Sequence, residues 1–178
     1  MKPDAGPFRF YVARDPHAVS GHAKVEIWTP GIMRMRPRGL ESSAAMVWWL
    51  FDILHVFSNR DYAIAIIRTN GTVVHRSFVF PRFFRFPFME ADDLQIGDTW
   101  TAPSARGQGL ACAALATIVG HFARPGRSFW YVVESMNPAS IRVAEKAGFV
   151  LAGSGSRRPR FGVPALAAYR IEQVAAPN

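Results

Sequence analysis

The residues whose types and spacing could do chemistry are Arg106-Gly107-Gln108-Gly109-Leu110-Ala111. They follow a strand-like run, Leu94 to Thr101, and lead into Ala111, Leu115, Ile118 and Phe122 at helical spacing. A strand, a tight glycine loop and a helix N-terminus in that order make an anion site. The first helical turn has unpaired N–H groups and the positive end of the helix dipole. Two glycines, lacking β-carbons, let a ligand come close to the backbone. Taken alone, glycine at such a corner is also an ordinary turn.

The neighbouring elements must position that loop. Ser128 to Val133 is a continuous apolar run, as a strand covered on both faces requires. Asn137 suits an N-cap, Pro138 the first helical position and Gly148 the C-terminal cap, so a short helix is framed between them. Upstream, Tyr62 to Ile67 and Thr72 to Phe80 read as a hairpin turning at Asn70-Gly71. Phe8 to Val12 and Ala23 to Thr29 read as short strands. Glu41-Ser42-Ser43 caps a helix expected over Ala44 to Phe57, with His55 as a structural histidine. Adjacent Trp48 and Trp49 cannot share one face of it. Strands at Phe149 to Ala152 and Ala165 to Ile171 flank a basic, glycine-rich turn holding Arg157, Arg158 and Arg160.

Two further stretches are basic. Arg34, Arg36 and Arg38 sit in a proline-interrupted loop that is either solvated surface or a contact for an anionic ligand. In Pro81 to Met89 arginine alternates with phenylalanine; its two prolines favour a substrate-facing or packing loop over a nucleic-acid platform.

With 178 residues, 49% of them apolar, the chain can bury one good core and reads as a single domain. Its 21 Lys and Arg against 13 Asp and Glu give a formal charge of +8, which favours an acidic ligand. The lone Cys112 excludes an internal disulfide framework and fits a reducing compartment. No apolar export segment is visible at the N-terminus. The greasiest run, Ala44 to Phe57, carries Asp52 and His55 and falls short of the ~20 residues of a membrane span. A cytoplasmic protein without a metal site is the expectation.

From Leu94 to Ala152 the chain resembles the GNAT acetyltransferase superfamily. Arg106 to Ala111, with Pro103 three residues before the arginine, resembles its Arg/Gln-x-x-Gly-x-Gly/Ala pyrophosphate loop. Asn137-Pro138-Ala139-Ser140-Ile141-Arg142, ending in Glu145-Lys146-Ala147-Gly148-Phe149, resembles its Asn-x-x-Ser helix and Gly-Phe end. The two motifs match in order and spacing, which is far more specific than a glycine loop alone. A dinucleotide fold is a weaker match, because Cys112 stands at the third glycine of G-x-G-x-x-G.

The resemblance implies a mixed α/β domain: a mostly antiparallel central sheet with flanking helices, a substrate half over about 8–93 and a cofactor half over about 94–152. It implies acetyl-CoA or another acyl-CoA as cofactor, with pantetheine in a V between the strands at Leu94 to Thr101 and Ser128 to Val133. Backbone N–H groups of Gln108, Gly109, Leu110 and Ala111 would hold the pyrophosphate, with Gly107 in the loop and Arg106 at its mouth. Backbone groups near Trp100 and Thr101 would pair with pantetheine and polarise the thioester, and Asn137 would touch the cofactor arm. One such donor is typically worth ~10²–10³-fold in rate.

The implied activity is acetyl transfer to a primary amine by direct attack in a ternary complex. The acceptor is expected to be a small and possibly anionic amine, such as a nucleotide-linked amino sugar. A protein N-terminus, or a non-catalytic acyl-CoA-binding module, is the other reading. Ala144 stands where many relatives have a tyrosine acid, so Ser140, one turn earlier, becomes the candidate proton donor. A thiol of pKa ~8.5 is a tolerable leaving group. Asp98 and Glu134 are the candidate bases, ahead of His75. Cys112 fits a small packing residue better than an acyl carrier.

Overall fold

Asn70 and Gly71 take φ of 51° and 80°, the left-handed pair that a two-residue hairpin turn needs. They join β3 (Ala63–Thr69) to β4 (Thr72–Pro81), as the sequence predicts. The computed structural model describes residues 7–14, 23–40, 43–160 and 163–174. Its other strands are β1 (Phe8–Arg14), β2 (Glu26–Trp28), β5 (Leu94–Thr101), β6 (Ser128–Glu134), β7 (Val150–Arg160) and β8 (Val163–Val174). Its helices are α1 (Ser43–Ile53), α2 (Leu110–Phe122) and α3 (Pro138–Lys146), with a 3₁₀ turn at Pro103–Ala105.

All eight strands form one sheet in the order β2-β3-β4-β5-β6-β1-β7-β8, and only β5 and β6 run parallel. The result is the single α/β domain with a mixed, mostly antiparallel sheet that was expected. One face packs against α2 and α3 around Leu94, Ile96, Leu115, Ile118 and Phe129. The other packs against α1 and the loop at 82–89, around Phe78, Phe80, Phe83, Phe86 and Trp130.

Several elements depart from expectation. β1 lies between β6 and β7 and pairs with both, so a strand counted in the substrate half completes the cofactor half. α1 ends at Ile53 rather than Phe57, because the chain turns left-handed at His55 (φ 57°), and that histidine is exposed rather than packed. Strand β2 is shorter than Ala23 to Thr29. Arg157, Arg158 and Arg160 lie within β7, not in a turn. Gly153 and Gly155, which read as turn residues, are close-approach positions: a β-carbon there would strike the carbonyls of Gln173 and Arg170 across the β7–β8 pair.

The start of β5 is pinned to the start of β6 by buried polar groups. The Asp93 carboxylate accepts from Ser128 N–H and Trp130 Nε1–H, both at 2.9 Å. Arg127 pairs with Asp61 at 2.7 Å and Asp92 at 2.6 Å. The other end of the pair is open. Pairing covers Leu94, Ile96 and the residue between them, opposite Phe129 to Tyr131, and stops there. A bulge in β5 explains the divergence. Gly97 faces Phe78 and Trp100 faces Arg76, so Asp98 and Thr99 stand against Ser77 alone, with Asp98 left-handed at φ 44°. Such an extra residue bends its strand. Beyond Ile96 the edge of β5 toward β6 has no strand partner, leaving its backbone groups along the V outside any sheet ladder.

Candidate active site

The cleft at the mouth of this V has a volume of about 620 Å³. Thr99, Trp100 and Thr101 line one wall. The loop at Arg106, Gly107 and Gly109 and the first turn of α2 form a second wall, and Asn137, Ser140 and neighbouring residues of α3 a third. Tyr131 also lines it, from the last paired position of β6.

The glycine loop is shaped for an anion. Gly107 and Gly109 take φ of 79° and 74°, and Gly109 is the N-cap of α2 with no side chain capping it. The Ala113 N–H bonds the Gly109 carbonyl at 3.0 Å. The N–H groups of Leu110, Ala111 and Cys112 therefore precede the helical ladder and have no carbonyl within it. A β-carbon on Gly107 or Gly109 would meet nothing of the protein within 4 Å. Open space in front of free donors at a positive helix end fits a phosphate group. Arg106, Arg142 and Lys146 add cations to the lining, and no described carboxylate pairs with them.

The side chains of the expected cofactor residues are placed unevenly. The Arg106 guanidinium turns back to the Thr101 carbonyl at 3.3 Å. Gln108 reaches the Ser104 carbonyl at 3.4 Å, and its side chain stands outside the cleft lining. Asn137 lines the cleft, but its Oδ1 caps α3 by accepting from Ser140 N–H at 3.0 Å. Trp100 sends its ring to the opposite face of the sheet, where Arg76 lies over it at 5.7 Å.

Of the candidate proton-transfer groups, Ser140 lines the cleft with Tyr131, whose hydroxyl is near those of Thr99 and Ser140. Burial pushes the Tyr131 pKa up, and these two hydroxyls pull against it. Ala144 is wholly buried in the core and offers no donor. Asp98 is tied to Arg76 at 3.3 Å. Glu134 is exposed at the end of β6, and alternation from Trp130 puts it on the α1 face of the sheet. It forms no ion pair among the described residues. Cys112 lies 3.9 Å from the Val143 carbonyl, and burial raises its pKa, which suits packing rather than nucleophilic attack.

His75 is fully buried. Its Nδ1 hydrogen-bonds with Thr101 Oγ1 at 2.8 Å and its Nε2 with Ser77 Oγ at 3.1 Å; Ser77 in turn reaches Thr99 Oγ1 at 3.0 Å. Burial pushes its pKa down to about 4. The unfolded chain takes up this proton near pH 6.5, whereas the folded chain resists it until about pH 4. Stability from this group is thus full above pH 6.5 and falls through that window, by about 3 kcal/mol. Urea unfolding at pH 7, 5 and 4 should show that slope, and His75→Asn should lack it.

Thr99, Tyr131, Arg142 and Lys146 were not anticipated. Tyr131 is hidden in an apolar strand run. Arg142 and Lys146 did carry a signal: with Ala139 and Val143 they recur at one-face helical spacing.

The acetyltransferase (GNAT) domain family matches residues 22–150, most of the chain and both motifs. The chain belongs to the GNAT family. GNAT domains bind acetyl-CoA or another acyl-CoA. Solved structures agree with this GNAT domain in fold. A GNAT-family acetyltransferase from Colwellia psychrerythraea superposes with a TM-score of 0.55 at 17% identity, over 82% of this chain and 52% of that one. A GNAT-family protein from Novosphingobium aromaticivorans gives 0.53 at 15% identity, over 81% and 59%. The domain therefore spans little more than half the length of these chains. No curated protein matches it in sequence. The larger groove of this GNAT domain, about 1030 Å³ and lined by Arg34, Arg36 and Arg38, shares no residue with the V. Among the described residues no helix is long and apolar enough to cross a membrane.

Proposed function

We propose that this GNAT domain is an acyl-CoA-dependent N-acyltransferase, with acetyl-CoA as donor and a primary amine as acceptor. The observation that carries this reading is the uncapped N-terminus of α2, with two left-handed glycines, opening at the mouth of a V between two parallel strands. Bound there, the cofactor supplies an activated acyl carbonyl and a thiolate leaving group. Backbone N–H groups of Gln108, Gly109, Leu110 and Ala111 hold its pyrophosphate, with Arg106, Arg142 and Lys146 adding positive charge. Backbone groups of β5 near Trp100 and Thr101, on the edge without a strand partner, would pair with the pantetheine amides and supply fixed donors to the acyl carbonyl, where they need no reorganisation. Asn137 holds α3 in place as its cap.

Ser140 and Tyr131 hold the proton that leaves with the thiol: Tyr131 donates from its hydroxyl, and Ser140 orients it. Glu134 and Asp98 stand on the acceptor side; Glu134 has the free carboxylate and takes the proton from the amine, while Asp98 orders Arg76. An α-amine of pKa ~8 is about one-tenth neutral at pH 7 and needs the base less than a lysine-like amine does. Incubation with acetyl-CoA and a panel of primary amines should release one CoA thiol per amide formed. Binding without release would instead mark a non-catalytic acyl-CoA module, and absence of binding would defeat the reading.

A further inference from the structure

The buried arginine Arg127, and the partly buried Arg68 and Arg76, are each matched by a carboxylate. Arg85 is not. Its guanidinium lies over Trp48 at 5.3 Å and Phe83 at 5.7 Å, its Nε is buried without a hydrogen-bond partner, and no described carboxylate pairs with it. The neighbouring charge is a second cation. Arg157 faces Tyr169 across the β7–β8 pair, with its guanidinium 5.7 Å from that ring. The Tyr169 N–H bonds the Arg85 carbonyl at 2.9 Å, so the loop and the hairpin hold the two arginines on one side of the sheet. Arg157 also has no described ion pair; Glu172, on the facing strand, pairs instead with Arg158 at 2.6 Å. Burial, and then Arg157, pull the Arg85 pKa below its ordinary value.

Two guanidiniums gathered on aromatic platforms, with no counter-charge among the described residues, are arranged for an anion. Their planar forks match the oxygens of a phosphate or carboxylate, and the rings fix their planes. The platform belongs to the face opposite α2 and α3. It runs through Phe86, stacked on Tyr169 at 5.5 Å, and Phe88, 5.0 Å from Trp130, to the paired part of β6 next to where the V opens. This anion site is thus separate from the one at α2.

We propose that Arg85 and Arg157 form the subsite for an anionic group on the acceptor, a phosphate or a carboxylate set apart from its amine. The proposal rests on the acyl-transfer reading and deepens it by naming the acceptor class. It moves the anion contact away from Arg34, Arg36 and Arg38, which line a separate groove.

Two readouts test it. In the first, acetyl transfer to O-phosphoethanolamine is compared with ethanolamine, and transfer to β-alanine with its amide. The wild type should prefer one anionic member by at least about tenfold in kcat/KM, as expected for a charge-assisted contact. Arg157→Gln, at an exposed site, and Arg85→Gln should each erase that preference through KM, with acetyl-CoA affinity unchanged. Equal kcat/KM within both pairs, or a preference that survives both substitutions together, would overturn the proposal. The second readout is independent of turnover: the Arg85 Nε–H resonance should shift saturably on titration with inorganic phosphate or acetate. Which anion shifts it separates the two sources. No saturable shift with either anion overturns the proposal even if no amine is acetylated, whereas a shift without acetylation sinks the acyl-transfer reading alone.

Discussion

Replacing Gly109 with valine should weaken acetyl-CoA binding about a hundredfold and leave the domain folded. Gly109 combines a φ of 74° with the N-cap position of α2, and a β-carbon there meets no protein atom within 4 Å. Inside the protein the cost is therefore backbone strain alone, about 1–2 kcal/mol. The valine methyls instead fill the space in front of the free N–H groups of Leu110 and Ala111. Losing two charge-assisted hydrogen bonds at ~1.5 kcal/mol each weakens binding about a hundredfold. Gly126 supplies the control. It has a φ of 79°, is exposed, likewise has nothing within 4 Å of a β-carbon, and lies outside the cleft. Gly126→Val should cost similar stability and leave the acetyl-CoA titration unchanged. Equal affinity in both variants would mean that the loop at 106–111 is only a turn.

The second large effect is expected at Tyr131. Tyr131→Phe keeps the ring that packs near Phe149, at 6.2 Å, and removes only the hydroxyl that faces Thr99 and Ser140. If that hydroxyl supplies the thiol's proton, kcat should fall ~10²-fold, the low end for a general acid because a thiolate leaves readily. The KM for acetyl-CoA should hold. Ser140→Ala should lose less, since Ser140 orients the phenol, and adding it to Tyr131→Phe should cost no more than Tyr131→Phe alone. The raised pKa keeps Tyr131 protonated through the neutral range. Rate should accordingly fall only at strongly alkaline pH in the wild type, and this limb should be absent in Tyr131→Phe. An unchanged kcat in that variant would remove the phenol from the chemistry.

What the sequence shows plainly in this domain is what local chemistry decides. Asn70-Gly71 can hardly do anything but turn a hairpin, and Asn137-Pro138 can hardly do anything but start a helix, because each is settled by its own dihedral and capping preferences. The glycine loop belongs with them. What stays hidden depends on partners far along the chain. Nothing in Phe8 to Arg14 says that it inserts between β6 and β7, since both edges of that strand pair with residues more than a hundred positions away. Gly153 and Gly155 mislead for the same reason: close approach of β8 and a turn leave the same residue behind. Within the candidate site, Tyr131 looks like core because its strand is apolar on both sides. The bulge at Asp98 that opens the V arises from register with β4, which no stretch of β5 encodes alone. Arg85 reads as one arginine among many until it is seen to have no carboxylate partner among the described residues.

The central claim is that the V and the uncapped end of α2 together hold an acyl-CoA. Its most direct measurement is a titration of the ¹⁵N-labelled domain with acetyl-CoA, followed at the backbone amides. The account predicts saturable shifts concentrated at Thr99 to Thr101 and Gly107 to Cys112, with the amides lining the Arg34 to Arg38 groove unmoved. Saturable shifts centred on that groove, or no saturable shifts at all, would contradict it.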